Sequence, residues 1–159
     1  ASVGSNPTLS AMTDDEVMRL ALLEAEKAIQ HEDVPVGALV IVDDVVIASR
    51  HNERQLTGDP TAHAEILALR DAASHLGTWP LDGATLVTTL EPCPMCAGAA
   101  LTARIPRLIF GAHDPKAGAA ETLYNLMDDP RLNHQAKVTS GILAAESGEI
   151  LSRFFAERR

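Results

Sequence analysis

The chain has 159 residues, 46% apolar and 22% charged, the make-up of one compact folded domain rather than a disordered or fibrous protein. Thirteen Lys and Arg against twenty-two Asp and Glu leave a net charge of −9, which excludes a globally basic nucleic-acid binder but not a local basic patch. Two cysteines are too few for a secreted disulfide scaffold.

Charge is shared unevenly. Residues 1–80 carry 5 basic and 13 acidic side chains and residues 81–159 carry 8 and 9, so an anionic partner belongs with the second half. No apolar run approaches the ~18 residues needed to span a bilayer, which predicts no membrane partner. Residues 1–12, rich in Ser, Gly and Asn without a basic or apolar stretch, read as a disordered leader or cloning remnant rather than a signal peptide. Met12 is then a native start, residues 13–159 form a single domain, and the expected location is cytoplasmic.

Thr13 followed by Asp14, Asp15 and Glu16 opens a helix with a capping residue and carboxylates at the positive dipole end. Apolar residues at helical spacing extend it to about Gln30. Two apolar runs, Val34 to Val42 and Val45 to Ala48, flank Asp43-Asp44 and read as a hairpin. A second helix is predicted from Asp59-Pro60-Thr61 to Leu76, before Gly77. Ala84 to Leu90 is a strand, broken by Glu91-Pro92, and a third helix ends near Arg104. A strand at Leu108 to Phe110, a short helix near Leu123 to Met127, a strand at Lys137 to Thr139 and a closing helix from Ile142 to Arg159 complete the chain. Strands alternating with helices predict an α/β fold with a mixed sheet.

Two motifs carry chemistry, His63-Ala64-Glu65 and Pro92-Cys93-Pro94-Met95-Cys96. Thiols three apart at a helix start lie on one face, and the helix N-terminus favours the thiolate that binds metal. Two thiolates and the His63 imidazole suit zinc, with a fourth position left for water whose pKa zinc lowers to about 7. Glu65, about 200° from His63 around an ideal helix, is expected beside the metal as a proton shuttle rather than as a ligand. A redox Cys pair, or a structural zinc completed by His113 or His134, are the competing readings. Together the two motifs match the zinc-deaminase signature H-x-E…P-C-x-x-C.

Beyond those motifs, the segments Asp33 to Ala38, Asp59 to Glu65, Glu91 to Gly98, Phe110 to Ala120 and Asn133-His134 resemble the bacterial tRNA-specific adenosine deaminases. These are zinc enzymes of the cytidine/deoxycytidylate deaminase superfamily, and the likeness runs from about Asp15 to Arg159. It implies a three-layer α-β-α sandwich with a mixed five-stranded sheet, cytidine-deaminase-like. It also implies hydrolytic deamination of adenosine to inosine at the wobble position of a tRNA anticodon, in arginine tRNA, by zinc-activated hydroxide attack on C6. His63, Cys93 and Cys96 become the ligands of one Zn2+ per subunit, and Glu65 the proton shuttle.

The same likeness places Asn52 on the purine edge, where a carboxamide offers donors and an acceptor; a plain turn is its rival role. Val34, Pro35, Ala64 and Leu90 match the family's pocket lining, with core packing as the alternative. Asp114 and Lys116 match contacts to the flanking sugar and phosphate. Phe155 and Arg158 belong to the terminal helix that touches the anticodon loop, against a surface role in which Arg158 and Arg159 only complement the helix dipole. The implied partners are a tRNA anticodon stem-loop and a second copy of the chain, the small residues Ala97 to Ala100 and Ala103 permitting close helix approach. A free-base or nucleoside deaminase of guanine or cytosine type, and a non-catalytic zinc-stabilised module, remain the alternatives.

Overall fold

The computed structural model describes residues 11–159; the leader read at 1–12 lies outside them except for its last two residues. Thr13 caps the first helix, α1 (Asp14–Glu26), with a reciprocal box. Its hydroxyl accepts the Glu16 N–H, and the Glu16 carboxylate accepts the Thr13 N–H, both at 3.1 Å. A 3-10 turn, Lys27–His31, carries the chain on to Glu32, whose φ of 62° stops it. The hairpin follows as β1 (Gly37–Val42) and β2 (Val45–His51). Asp43 and Asp44, at φ 50° and 61°, form the two-residue turn whose twist suits such a hairpin.

The remaining elements are α2 (Arg54–Thr57), α3 (Ala64–Leu76), β3 (Ala84–Leu90), α4 (Pro94–Thr102), β4 (Arg107–Ala112), β5 (Lys137–Thr139) and α5 (Ala144–Ala156). The five strands lie in the order β2-β1-β3-β4-β5. β1 runs antiparallel to both β2 and β3, while β3, β4 and β5 are parallel, so the sheet is mixed as expected.

Alternate strand residues feed opposite layers. Ala38, Val40, Leu86, Leu108 and Phe110 pack with Ala68, Leu69 and Ala72 of α3 and Ala97, Ala100 and Leu101 of α4. Leu39, Ile41, Val87 and Ile109 point the other way, onto Val17, Met18 and Ala21 of α1. α5 shares that second face: a Cβ on Gly111 of β4 would overlap Ser147 of α5. The result is the three-layer α-β-α sandwich.

Several boundaries differ from the sequence expectation; the closing helix ends at Ala156 rather than Arg159, and the short α2 was not expected. The second long helix starts at Ala64, not near Asp59, because the Asp59 carboxylate accepts the Thr61 N–H (2.8 Å) and hydroxyl (2.8 Å) and closes a turn there. No helix forms at Leu123 to Met127: Leu123 and Leu126 donate instead to the carbonyls of Gly118 (2.9 Å) and Ala119 (3.0 Å), too far back for a helical bond. The closing helix begins two residues late, after Leu143 at φ 52°, and runs unbroken through Gly148.

The layers approach closely at Gly37, where an added Cβ would overlap the Ala21 carbonyl oxygen and stand 2.8 Å from the Ala25 nitrogen. Both are backbone and cannot yield without moving α1. Gly37→Ala is expected to lower stability by about 1–3 kcal/mol or more, read as a fall in the urea midpoint. An unchanged midpoint would contradict this packing.

Candidate active site

Two helix N-termini meet at one end of the sheet. His63 is the N-cap of α3 and Cys93 the N-cap of α4, each in extended backbone (φ −74°, ψ 148°; φ −73°, ψ 173°). Neither side chain is used to cap its own helix, so both remain free for other bonds. Pro94 fills the first position of α4, where no N–H is needed. On α3 the corresponding N–H, of Ala64, donates to Oδ1 of Asn52 at 2.8 Å. Asn52, just after β2, thus satisfies the first amide of α3.

The His63 Nδ1 atom lies 3.6 Å from Cys93 Sγ and 3.4 Å from Cys96 Sγ. Zinc ligands at ordinary Zn–S and Zn–N lengths, set on tetrahedral directions, stand about 3.5 Å apart. The three donors therefore fit a tetrahedral zinc ion. Among the described residues this is the one group of three His, Cys, Asp or Glu arranged to hold a metal. His113 is bonded to Glu121 and His134 to the Ile105 carbonyl, so neither histidine closes the fourth position.

The ideal-helix angle between His63 and Glu65 does not apply, because His63 stands outside α3. Glu65, 4% exposed, sits against the same group of side chains. Burial raises its carboxyl to about 7, against the pull of the His63 charge. The Cys96 thiol donates to Cys93 and, helped by the His63 ring, brings Cys93 down to about 4, while the same contact and burial push Cys96 up. The bond to Cys93 raises His63. The thiolate favoured at Cys93 is the form that binds a metal ion.

A cleft of about 630 Å³ opens between the 112–116 loop, Val34, Leu90 and the C-terminal segment, and none of His63, Glu65, Cys93, Cys96 or Asn52 lines it. Of the substrate residues expected from sequence, Val34, Leu90, Asp114, Lys116 and Phe155 line it. Pro35 and Ala64 are buried and do not. The Asn52 amide donates to the Val34 carbonyl (3.0 Å), tying the cleft wall to the start of α3 and leaving one N–H and one lone pair unused.

Arg158 is turned back on the protein. Its guanidinium lies 3.8 Å over the Phe154 ring and donates to Glu32 (2.6 Å) and to the Phe154 carbonyl (2.9 Å). Arg159 lines the cleft in its place, with Gly148, Leu151 and Ser152, residues the sequence reading did not single out. The spacing of Gly148, Leu151, Ser152 and Phe155 is a single helical stripe of α5, the signal that marks them as one surface, and Arg159 follows just beyond the helix end.

The MafB19-like deaminase family matches residues 12–159. The tRNA-specific adenosine deaminase of Bacillus subtilis is 50% identical over 149 residues, 93% of this chain and 92% of that protein. Its counterpart from Haemophilus influenzae is 49% identical over 92% of this chain and 85% of its own. A structure solved in work on A-to-I editing by tRNA:A34 deaminases at the wobble position superposes with a TM-score of 0.81 at 47% identity, covering 84% of this chain and 97% of that one. A guanine deaminase from Nitrosomonas europaea superposes equally well (TM-score 0.81) at 26% identity, over 96% of this chain and 89% of its own.

In protein stripped of metal by chelation, iodoacetamide is expected to label Cys93 at a rate nearly flat above about pH 6, its thiolate already being formed, and to spare buried Cys96. A rate that climbs toward the ordinary thiol range near pH 8.5, or equal labelling of both sulfurs, would contradict a Cys93 thiol lowered by its neighbours beside a buried Cys96.

Proposed function

The chain belongs to the family of tRNA-specific adenosine deaminases, and we propose that it converts adenosine to inosine at the wobble position of a tRNA anticodon, in arginine tRNA, with one Zn2+ per subunit. The observation that carries this reading is a protonatable buried carboxylate, Glu65, placed against a three-donor metal group. His63, Cys93 and Cys96 would hold the ion. When bound there, zinc supplies Lewis acidity and makes water a nucleophile at neutral pH.

The protein's own part is proton traffic and positioning. A carboxyl titrating near 7 both accepts and returns a proton at working pH. Glu65 takes a proton from the attacking water and delivers it to the purine ring nitrogen. It passes the second proton to the departing amino group, so water is consumed, the C6–N bond breaks, and ammonia leaves. Val34, Leu90 and Phe155 offer apolar walls to a splayed loop base, and such a base costs less to unstack than one in a duplex. Asp114, Lys116 and Arg159 face the flanking sugar and phosphate. Asn52 keeps its free N–H and lone pair for the purine edge.

The homodimer belongs to the same reading. Ala97 and Ala100 are consumed in the core, but Ala99 and Ala103 line a shallow apolar groove of about 310 Å³ with Leu69 and the 62%-exposed Trp79. Such a face suits a second copy. No helix among the described residues is long and apolar enough to cross a membrane, and a tRNA substrate puts the enzyme in the cytoplasm.

Incubation with total tRNA is expected to yield inosine at the wobble position of arginine tRNA, while guanine deamination without tRNA editing would support the free-base alternative and overturn this one. Glu65→Ala is expected to retain one zinc and its fold yet lose conversion by at least about 10²-fold; normal turnover would exclude the proton-shuttle role. With few phosphates neutralised, the logarithmic salt slope of anticodon stem-loop binding should lie near −1 to −2, about 0.7 per contact. A slope steeper than about −4 would show a broad basic footprint instead.

A further inference from the structure

Glu91 follows β3 directly and is 1% exposed, yet among the described residues it has no cationic partner within 4.0 Å. A buried carboxylate needs compensation, and here it comes wholly from N–H and O–H groups of one loop. Oε1 accepts from the Asp114 N–H (3.0 Å) and the Thr122 hydroxyl. Oε2 accepts from three successive amides, Ala120 (3.1 Å), Glu121 (2.8 Å) and Thr122 (2.9 Å), a backbone nest closed on an anion.

The surrounding backbone is fitted to this carboxylate. A Cβ at Gly118 would overlap Glu91 Oε1, so only glycine lets the loop close over it. The Glu91 N–H donates to Ala112 (2.8 Å) at one end of the loop, and the Ala119 N–H donates to Pro92 (2.9 Å) at the other. Residues 112–122 are therefore hung on Glu91 and Pro92, the two residues immediately before the metal-ligating Cys93. His113, Asp114, Pro115 and Lys116 of the same loop form one wall of the cleft.

We propose that Glu91 is a substrate-positioning residue: its buried charge gathers the 112–122 loop and fixes the Asp114–Lys116 wall of the cleft relative to the His63–Cys93–Cys96 centre. The inference rests on reading that cleft as the anticodon-loop site. Its signature is a loss of substrate affinity with the chemical step preserved, since Glu65 and the three donors lie on α3 and at the start of α4, outside the loop.

Glu91→Gln keeps the shape but turns one acceptor into a donor facing N–H groups. The amides of Asp114, Ala120, Glu121 and Thr122 are expected to exchange hydrogen at least about tenfold faster, with exchange in α3 and α4 unchanged. Zinc should stay at one per chain, KM for an anticodon stem-loop should rise at least about tenfold, and kcat should stay within about threefold. Thr122→Val, which removes a single donor, should show the same pattern at a few-fold, and carries the test should the glutamine variant fail to fold. Unchanged loop exchange and KM in a folded variant would overturn the proposal, as would a fall in kcat with KM constant, or loss of zinc. Failure of the wild-type enzyme to edit would defeat the reading of the cleft instead, and loop exchange would still decide whether Glu91 holds the wall.

Discussion

Two helices begin at the same point in space, and the residues at their caps decline to cap. Every helix start leaves N–H groups that some acceptor must satisfy. In α3 and α4 the cap positions are held by His63 and Cys93, whose side chains turn instead toward each other and toward Cys96. Asn52 accepts the first amide of α3, and Pro94 leaves α4 with no amide at the same position. The positive ends of both helices then converge on a group that carries thiolate charge, an arrangement each dipole favours. The parallel alignment of β3 with β4 and the antiparallel hairpin beside it bring these two helix starts together.

That convergence sets the electrostatics. Cys93 is drawn down to about 4 while Glu65, a few atoms away and sealed from water, is held up near 7. Neighbouring acids with separated titrations can take separate roles, one as a ligand and one as a proton carrier. The cleft outside is shaped by contacts of longer range. Glu91 gathers the loop that forms one wall, the bond from Asn52 to Val34 fixes another, and α5 lays Leu151 and Phe155 along a third, with Arg159 just past its end. A chain with net charge −9 can still meet a nucleic acid here, because it exposes a few placed cations at one cleft rather than a basic face.

The metal group was legible in the sequence because it depends on residue types at short spacing: Cys93 and Cys96 share a helix start wherever that helix packs. The mixed sheet was legible for a similar reason, since period and turn chemistry are local. Three features were not. The Asp59 side chain diverts its helix start into a turn, which the same Asp-Pro-Thr letters fit equally well. The helix expected at Leu123 to Met127 loses its amides to Gly118 and Ala119, in a loop whose path is set by Glu91, about thirty residues earlier, which takes the amides of Ala120 to Thr122. Arg158 was expected at the substrate and is held instead by Glu32, 126 residues away, leaving Arg159 on the cleft. Burial of Pro35 and Ala64, against exposure of Val34 and Leu90 to the cleft, likewise follows from packing that single positions do not encode.

His63, Cys93 and Cys96 would leave one position of a tetrahedral zinc shell open. X-ray absorption at the zinc edge of the purified holoprotein reads that coordination shell directly. The expected shell has two sulfurs at about 2.3 Å, one imidazole nitrogen at about 2.0–2.1 Å and one further light atom from solvent. A second imidazole in the shell would make the site closed and structural, and a shell without sulfur would remove Cys93 and Cys96 from it altogether.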